Sequence, residues 1–155
     1  MSNYLTESEL LDRAELGAWR GMLRVHAAMT KALDADLLRE HGLSLSSYEV
    51  LLFLSQAPQG QLRMSELADG VLLSRSGLTR LVDRMEREGL LRREPCEEDA
   101  RGHYAAITDD GRELFRRARS THLDGVRDRF LSHFSADELR TLAGLWERVS
   151  PGAAS

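Results

Sequence analysis

Apolar positions return every three to four residues in six stretches of this 155-residue chain, with short alternating runs between some of them. That spacing predicts helices for the former and strands for the latter. Thr6 and Glu9 are spaced as a capping box. They open a stripe of Leu10, Ala14, Trp19, Met22, His26, Met29, Leu33 and Leu37 that runs to a stop at Gly42. Ser46 and Glu49 repeat the capping pattern ahead of an apolar run, residues 50–54, and Pro58 closes this second helix. Residues 62–64 read as a short strand, and Ser65 is expected to cap a helix of about two turns. Ser74 caps the next helix, which buries Leu78, Leu81, Val82 and Met85 and ends at Gly89.

Residues 90–94 and 103–108 then read as the two strands of a hairpin with a charged tip. Leu91, Tyr104 and Ile107 are expected to face the helices. Thr108 caps a long helix extending to Phe134, with a stripe of Leu114, Phe115, Ala118, His122, Leu123, Val126 and Phe130. A capping box at Ser135 and Glu138 starts the last helix, which carries Leu139, Leu142, Leu145, Trp146 and Val149 to Pro151.

Two short helices joined by a tight turn, the second with a polar outer face, form a helix-turn-helix. A hairpin directly after it makes a winged helix. The expected fold is therefore mainly α, a single subunit over 1–155. Its winged helix-turn-helix (three helices plus a small β-hairpin wing) spans 44–108, embedded between long N- and C-terminal dimerisation helices at 6–42 and 109–150. The outer helices carry more apolar stripe than the small central module can cover. A twofold mate is the simplest partner for it, so an obligate homodimer is expected. The alternative is that these helices cover the module within one chain.

The helix opening at Ser74 carries the candidate chemistry. Ser76, Arg80, Asp83 and Arg87 fall on its outer face, with Thr79 and Arg84 on the flanks. Small polar residues at its start allow close approach to base edges, and arginine can bind guanine bidentately or pair with phosphate. An ordinary solvated helix would look similar in isolation; its setting in a helix-turn-helix favours DNA. Charge qualifies the picture. The chain has net charge −4, and residues 61–108 hold eight arginines against nine acids, so non-specific attraction to DNA should be weak. Residues 74–93 alone hold six arginines and three acids, so the recognition helix keeps the expected sign.

Composition narrows the rest. One cysteine, Cys96, excludes an intramolecular disulfide and fits a reducing compartment; Glu94, Glu97 and Glu98 around it should make a poor thiolate. No signal-like or membrane-length apolar segment occurs, so a cytoplasmic protein is expected. The five histidines lack metal-ligand spacing. No phosphate loop, nucleophile elbow or paired-carboxylate context appears, so neither a cofactor nor an enzyme is expected.

The segments SRSGLTRLVDRMEREGLLRR, EDARGHYAAITDDGREL and LRMSELAD, in this arrangement, resemble the multiple antibiotic resistance regulator (MarR) family of bacterial transcription factors. The likeness runs from about residue 10 to 148 and includes a wing signature at Asp99, Arg101 and Gly102. It implies a triangular winged-helix dimer in which each module reads half of a pseudo-palindromic operator, most simply as a repressor. It also implies that Ser74, Arg75, Ser76, Thr79 and Arg80 face the major groove, that Arg84 and Arg87 meet phosphate, that Arg101 enters the minor groove, and that Asp99 orients it or closes the hairpin turn. Gly102 is expected to serve a tight tip through positive φ. Family members commonly respond to small aromatic or phenolic effectors. Here such a crevice would draw on Trp19, Met22, His26, Tyr48, Phe53 and Phe115, each of which is also a plain core candidate. A competing reading, motivated by the acidic wing, is a winged-helix protein–protein module without DNA binding.

Overall fold

The computed structural model describes residues 10–71 and 73–153, with the backbone alone described at 99–101. Helix α1 spans Arg13–His41, α2 Leu45–Gln56, α3 Met64–Gly70 and α4 Arg75–Arg87. Strand β1 is Gln61–Arg63, β2 Leu91–Cys96 and β3 Asp99–Ile107; α5 (Asp109–Arg129) and α6 (Ala136–Val149) follow. The chain divides into two compact units. One comprises residues up to Leu33 and from Gly125 onward; the other is Asp34–Asp124 and contains the whole winged helix.

Local chemistry explains several boundaries and corrects some expectations. The Thr6–Glu9 box lies outside the described residues. α1 instead begins behind Asp12, whose carboxylate accepts from the backbone of Ala14 and Glu15 at 2.7 and 2.9 Å. Ser44, not Ser46, caps α2, accepting from the Ser47 backbone at 3.1 Å. The helix therefore starts earlier than the Ser46–Glu49 spacing suggests. α3 likewise starts before Ser65, with Glu66 reaching back to the Arg63 backbone N–H at 2.8 Å. The Ser135–Glu138 capping box forms in both directions, at 2.7 and 3.2 Å. α5 ends at Arg129, short of Phe134, and a 3-10 turn at Leu131–His133 follows.

The sheet has the order β1-β3-β2, all antiparallel. Its central strand carries Ala105 and Ile107 inward, at 0% and 5% exposure, opposite the buried Leu91. Tyr104 is three residues from Ile107 and therefore on the other face. It does not face the helices as expected but lies beneath Arg63, whose guanidinium is 5.6 Å from the ring centre. The core of this unit is aliphatic: Leu37, Val50, Leu51, Leu54, Leu67, Val82 and Met85 are fully buried.

The start of α5 is fitted against the end of α4. The Thr108 hydroxyl donates to the Gly89 carbonyl at 2.6 Å and accepts from the Gly111 backbone at 3.1 Å, while the Thr108 N–H donates to the Leu90 carbonyl at 3.2 Å. Gly89 itself turns the chain with φ +75°, a conformation that favours glycine. One threonine thus caps α5 and ties it to the turn after the recognition helix.

Candidate nucleic-acid interface

α4 is the most strongly two-sided helix of the winged module. Its inner face, Leu78, Leu81, Val82 and Met85, is buried, as the spacing predicts. Ser74, Arg75, Ser76, Thr79, Arg80, Asp83, Arg84 and Arg87 are all exposed. Ser74 caps the helix by accepting from the Gly77 backbone at 3.1 Å, which leaves its hydroxyl partly committed to the fold. Thr79 donates to the Arg75 carbonyl at 2.9 Å, so its hydroxyl proton is spent within the helix and its oxygen remains able to accept.

The arginines of the module fall into two groups. Arg63 pairs with Glu98 at 2.9 Å, Arg92 with Glu94 at 2.6 Å, and Arg93 with both Asp83 and Glu86. Arg84 lies 4.0 Å from Glu88 and donates to Ser47 and more distantly to Ser44, at 3.3 and 3.5 Å, so it braces α4 against the start of α2. By contrast, Arg75 and Arg80 carry no carboxylate partner among the described residues, and Arg87 donates only to the Asp83 carbonyl at 3.4 Å. Most of the acids that weigh against DNA binding in a simple charge count are thus neutralised locally. The uncommitted cations stand on the outer face of α4. Sequence reasoning missed both the Arg84 brace and the Arg93 bridge, because each joins residues on different elements.

The wing differs in detail from expectation. Glu97 and Glu98 form its turn, and Gly102 is half-buried within β3 rather than at the tip. The strand pairing shifts between Pro95 and Cys96, which places Cys96 opposite Asp99. The shift leaves residues 100–102 of β3 without a paired position on β2. Cys96 is buried at 5% exposure. Asp99 and Arg101 lie on β3, with their side chains outside the described residues.

The six aromatic and apolar candidates are divided between the two units. Trp19, Met22 and His26 are exposed on α1 in the first unit. In the second unit Tyr48, buried, packs on Phe115 with ring centres 5.3 Å apart and on His122 at 4.4 Å. Phe53 lies elsewhere, against Gly70. Burial raises the Tyr48 pKa, opposed in part by the charge of Arg119.

His122, which the apolar stripe of α5 predicts to face inward, joins this cluster although it is not among the pocket candidates. Its Nδ1 is buried without a hydrogen-bond partner, and burial lowers its pKa from the ordinary imidazole value. The folded state therefore takes up a proton less readily than the unfolded chain. Stability is unaffected well above about pH 6.5 and falls as pH drops through the unfolded value toward the folded one. Denaturant midpoints measured between about pH 7.5 and 5.5 should decline, and His122→Phe should flatten that decline.

A helix-turn-helix with an exposed arginine face, followed by a β-hairpin wing that β1 extends to a three-stranded sheet, defines a winged-helix DNA-binding protein. The MarR family model matches residues 41–102. The chain is 34% identical to the HTH-type transcriptional regulator PecS of Dickeya dadantii over 81% of its own length and 75% of that protein. It is 27% identical to the homoprotocatechuate degradative operon repressor of Escherichia coli over 72% of its length and 73% of that protein. Two Streptomyces coelicolor MarR family regulators share the fold. AbsC matches at TM-score 0.81 and 34% identity, covering 96% of both chains. Sco3205, solved in complex with DNA, matches at 0.83 and 33%, covering 96% of this chain and 93% of that one. The chain belongs to the MarR family of transcriptional regulators, and a winged-helix module without DNA binding is not the favoured reading.

Proposed function

We propose that the protein is a homodimeric repressor that reads a pseudo-palindromic operator through α4, in the cytoplasm and without catalytic activity. The observation that carries this reading is the segregation of arginines: Arg75 and Arg80 stand uncommitted on α4 while Arg63, Arg84, Arg92 and Arg93 serve the fold. Ser74, Ser76 and Thr79 allow close approach beside them, Arg87 contacts phosphate, and Arg84 contributes through its brace as well as its charge. Dimer formation is supported by apolar side chains left exposed in the first unit, among them Trp19 and Leu23 on α1 and Leu145, Trp146 and Val149 on α6. Repression is supported by the E. coli relative, which is a homoprotocatechuate degradative operon repressor.

Arg101 reaches the adjacent minor groove from the wing, with Asp99 orienting it and Gly102 keeping the strand slim at that point. Arg101→Ala should weaken operator binding chiefly where the flanks are A/T-rich, because a narrow groove concentrates negative potential. Binding titrations on operators with A/T-rich and G/C-rich flanks check this; equal losses on both would assign Arg101 to phosphate instead. A small aromatic or phenolic effector is the proposed inducer, with Tyr48 and Phe115, which pack on each other, as its candidate contacts within the second unit. Its binding would favour a dimer whose recognition helices no longer match half-sites about one DNA turn apart. Sedimentation of the protein with a selected operator tests the whole proposal: two chains per duplex are expected, and a single chain per duplex would overturn it.

A further inference from the structure

Asp83 stands in the middle of the exposed face of α4, one helical turn after Thr79 and Arg80 and one turn before Arg87. A carboxylate at such a position repels phosphate, and the only base-edge donors it could accept from in the major groove are the cytosine and adenine amino groups. Arg93 of β2 reaches it: Nη1 lies 2.5 Å from Asp83 Oδ1 and 3.6 Å from Glu86 Oε1. The Arg93 backbone N–H also donates to Glu86 Oε2 at 2.6 Å, so the strand is pinned to the helix at the same place. The Arg93 side chain is 24% exposed against 49% for Asp83. The guanidinium is thus the more sheltered partner, unlike Arg75 and Arg80.

We infer that Arg93 is a positioning residue for DNA recognition, holding and neutralising Asp83 so that α4 presents arginine charge rather than a free carboxylate to the duplex. The inference rests on α4 facing DNA, as proposed above. Partly exposed ion pairs contribute little to folding stability. A carboxylate within one Debye length of a phosphate row, about 8 Å at physiological salt, is not screened away. The pair therefore acts mainly on binding.

The test is operator affinity, and its salt dependence, for the full-length protein and for Arg93→Gln, Asp83→Asn and the double variant, using a duplex recovered by selection. Arg93→Gln should bind about five- to tenfold more weakly, through the exposed like charge. Asp83→Asn should bind as tightly as the parent or more so. The double variant should fall within about twofold of Asp83→Asn, since the neutral amide no longer needs the guanidinium. If Arg93 instead touches phosphate, its loss will be the same with or without Asp83, and the log–log salt slope will fall by about one unit in both backgrounds. That pattern overturns the inference. Should Arg93→Gln fail to fold, Asp83→Asn alone decides, because weaker binding by that variant contradicts the proposal. Arg80→Ala, measured in parallel, separates the two levels. Unchanged binding by Arg80→Ala removes α4 from the DNA, whereas a loss there with independent Arg93 and Asp83 effects removes only this inference.

Discussion

Arg80→Ala should cost about 1–3 kcal/mol of operator affinity and relax base preference at one position of each half-site. The residue is exposed, sits one turn beyond Arg75 and Ser76, and carries no carboxylate partner among the described residues. Its removal therefore breaks no fold-supporting contact, and the loss falls on DNA. Affinities for an operator and for its single-base variants report both effects. A uniform loss across all variants would assign Arg80 to phosphate rather than to a base edge. Unchanged melting of the free protein separates the binding effect from a folding one. Arg84→Ala offers the contrast: it also weakens the brace to Ser44 and Ser47, so part of its effect should appear in the melting temperature.

The second large effect is on stability. A Cβ added at Gly111 would meet the Leu90 carbonyl oxygen at 2.1 Å and the Ile107 side chain at 3.0 Å. Backbone oxygen cannot rotate away, so Gly111→Ala must push α5 outward or distort the turn after α4. Overpacking of this kind costs about 1–3 kcal/mol. The same shift strains the hydrogen bonds by which Thr108 joins α5 to the Gly89–Leu90 turn. Chemical denaturation should therefore show a lower midpoint for Gly111→Ala. At Gly144, where an added Cβ has open space, an alanine should not destabilise the fold. Equal stability of the Gly111 and Gly144 variants would show that the close approach is relieved without cost.

Much of this architecture is legible in sequence because it rests on local rules. Ser74, Thr108 and Ser135 cap helices where hydroxyl residues precede apolar periodicity, and Gly42 and Gly89 end helices with positive φ. The inner face of α4 follows from spacing alone. Where competing local signals crowd together the reading slips. Ser44, Ser46 and Ser47 all lie near the start of α2, and the cap falls to Ser44 because Leu45 must be buried. Tyr104 falls on the face away from the helices because strand alternation from Ile107, not its own hydrophobicity, sets its side. The wing bulge at Pro95–Cys96, which moves Gly102 away from the tip, has no local signature stronger than the proline itself.

The interface was legible in part, for a related reason. Exposure of Ser74, Arg75, Ser76, Thr79 and Arg80 follows from helical geometry. Which arginines are available does not, since that depends on pairings across elements, such as Arg93 with Asp83 or Arg63 with Glu98. A charge count treats all eight arginines of the module alike. Among the seven whose side chains are described, the structure separates those bonded to carboxylates or to another element from those left facing solvent.

The central claim is that two copies of α4 read DNA at a fixed spacing. Selection from a pool of random duplexes by the full-length protein tests it most directly. An inverted repeat with half-site centres about one helical turn apart should be enriched, and Arg80→Ala should blur one position in each half. Enrichment of no motif, or of a single asymmetric site unaffected by Arg80→Ala, would contradict the account.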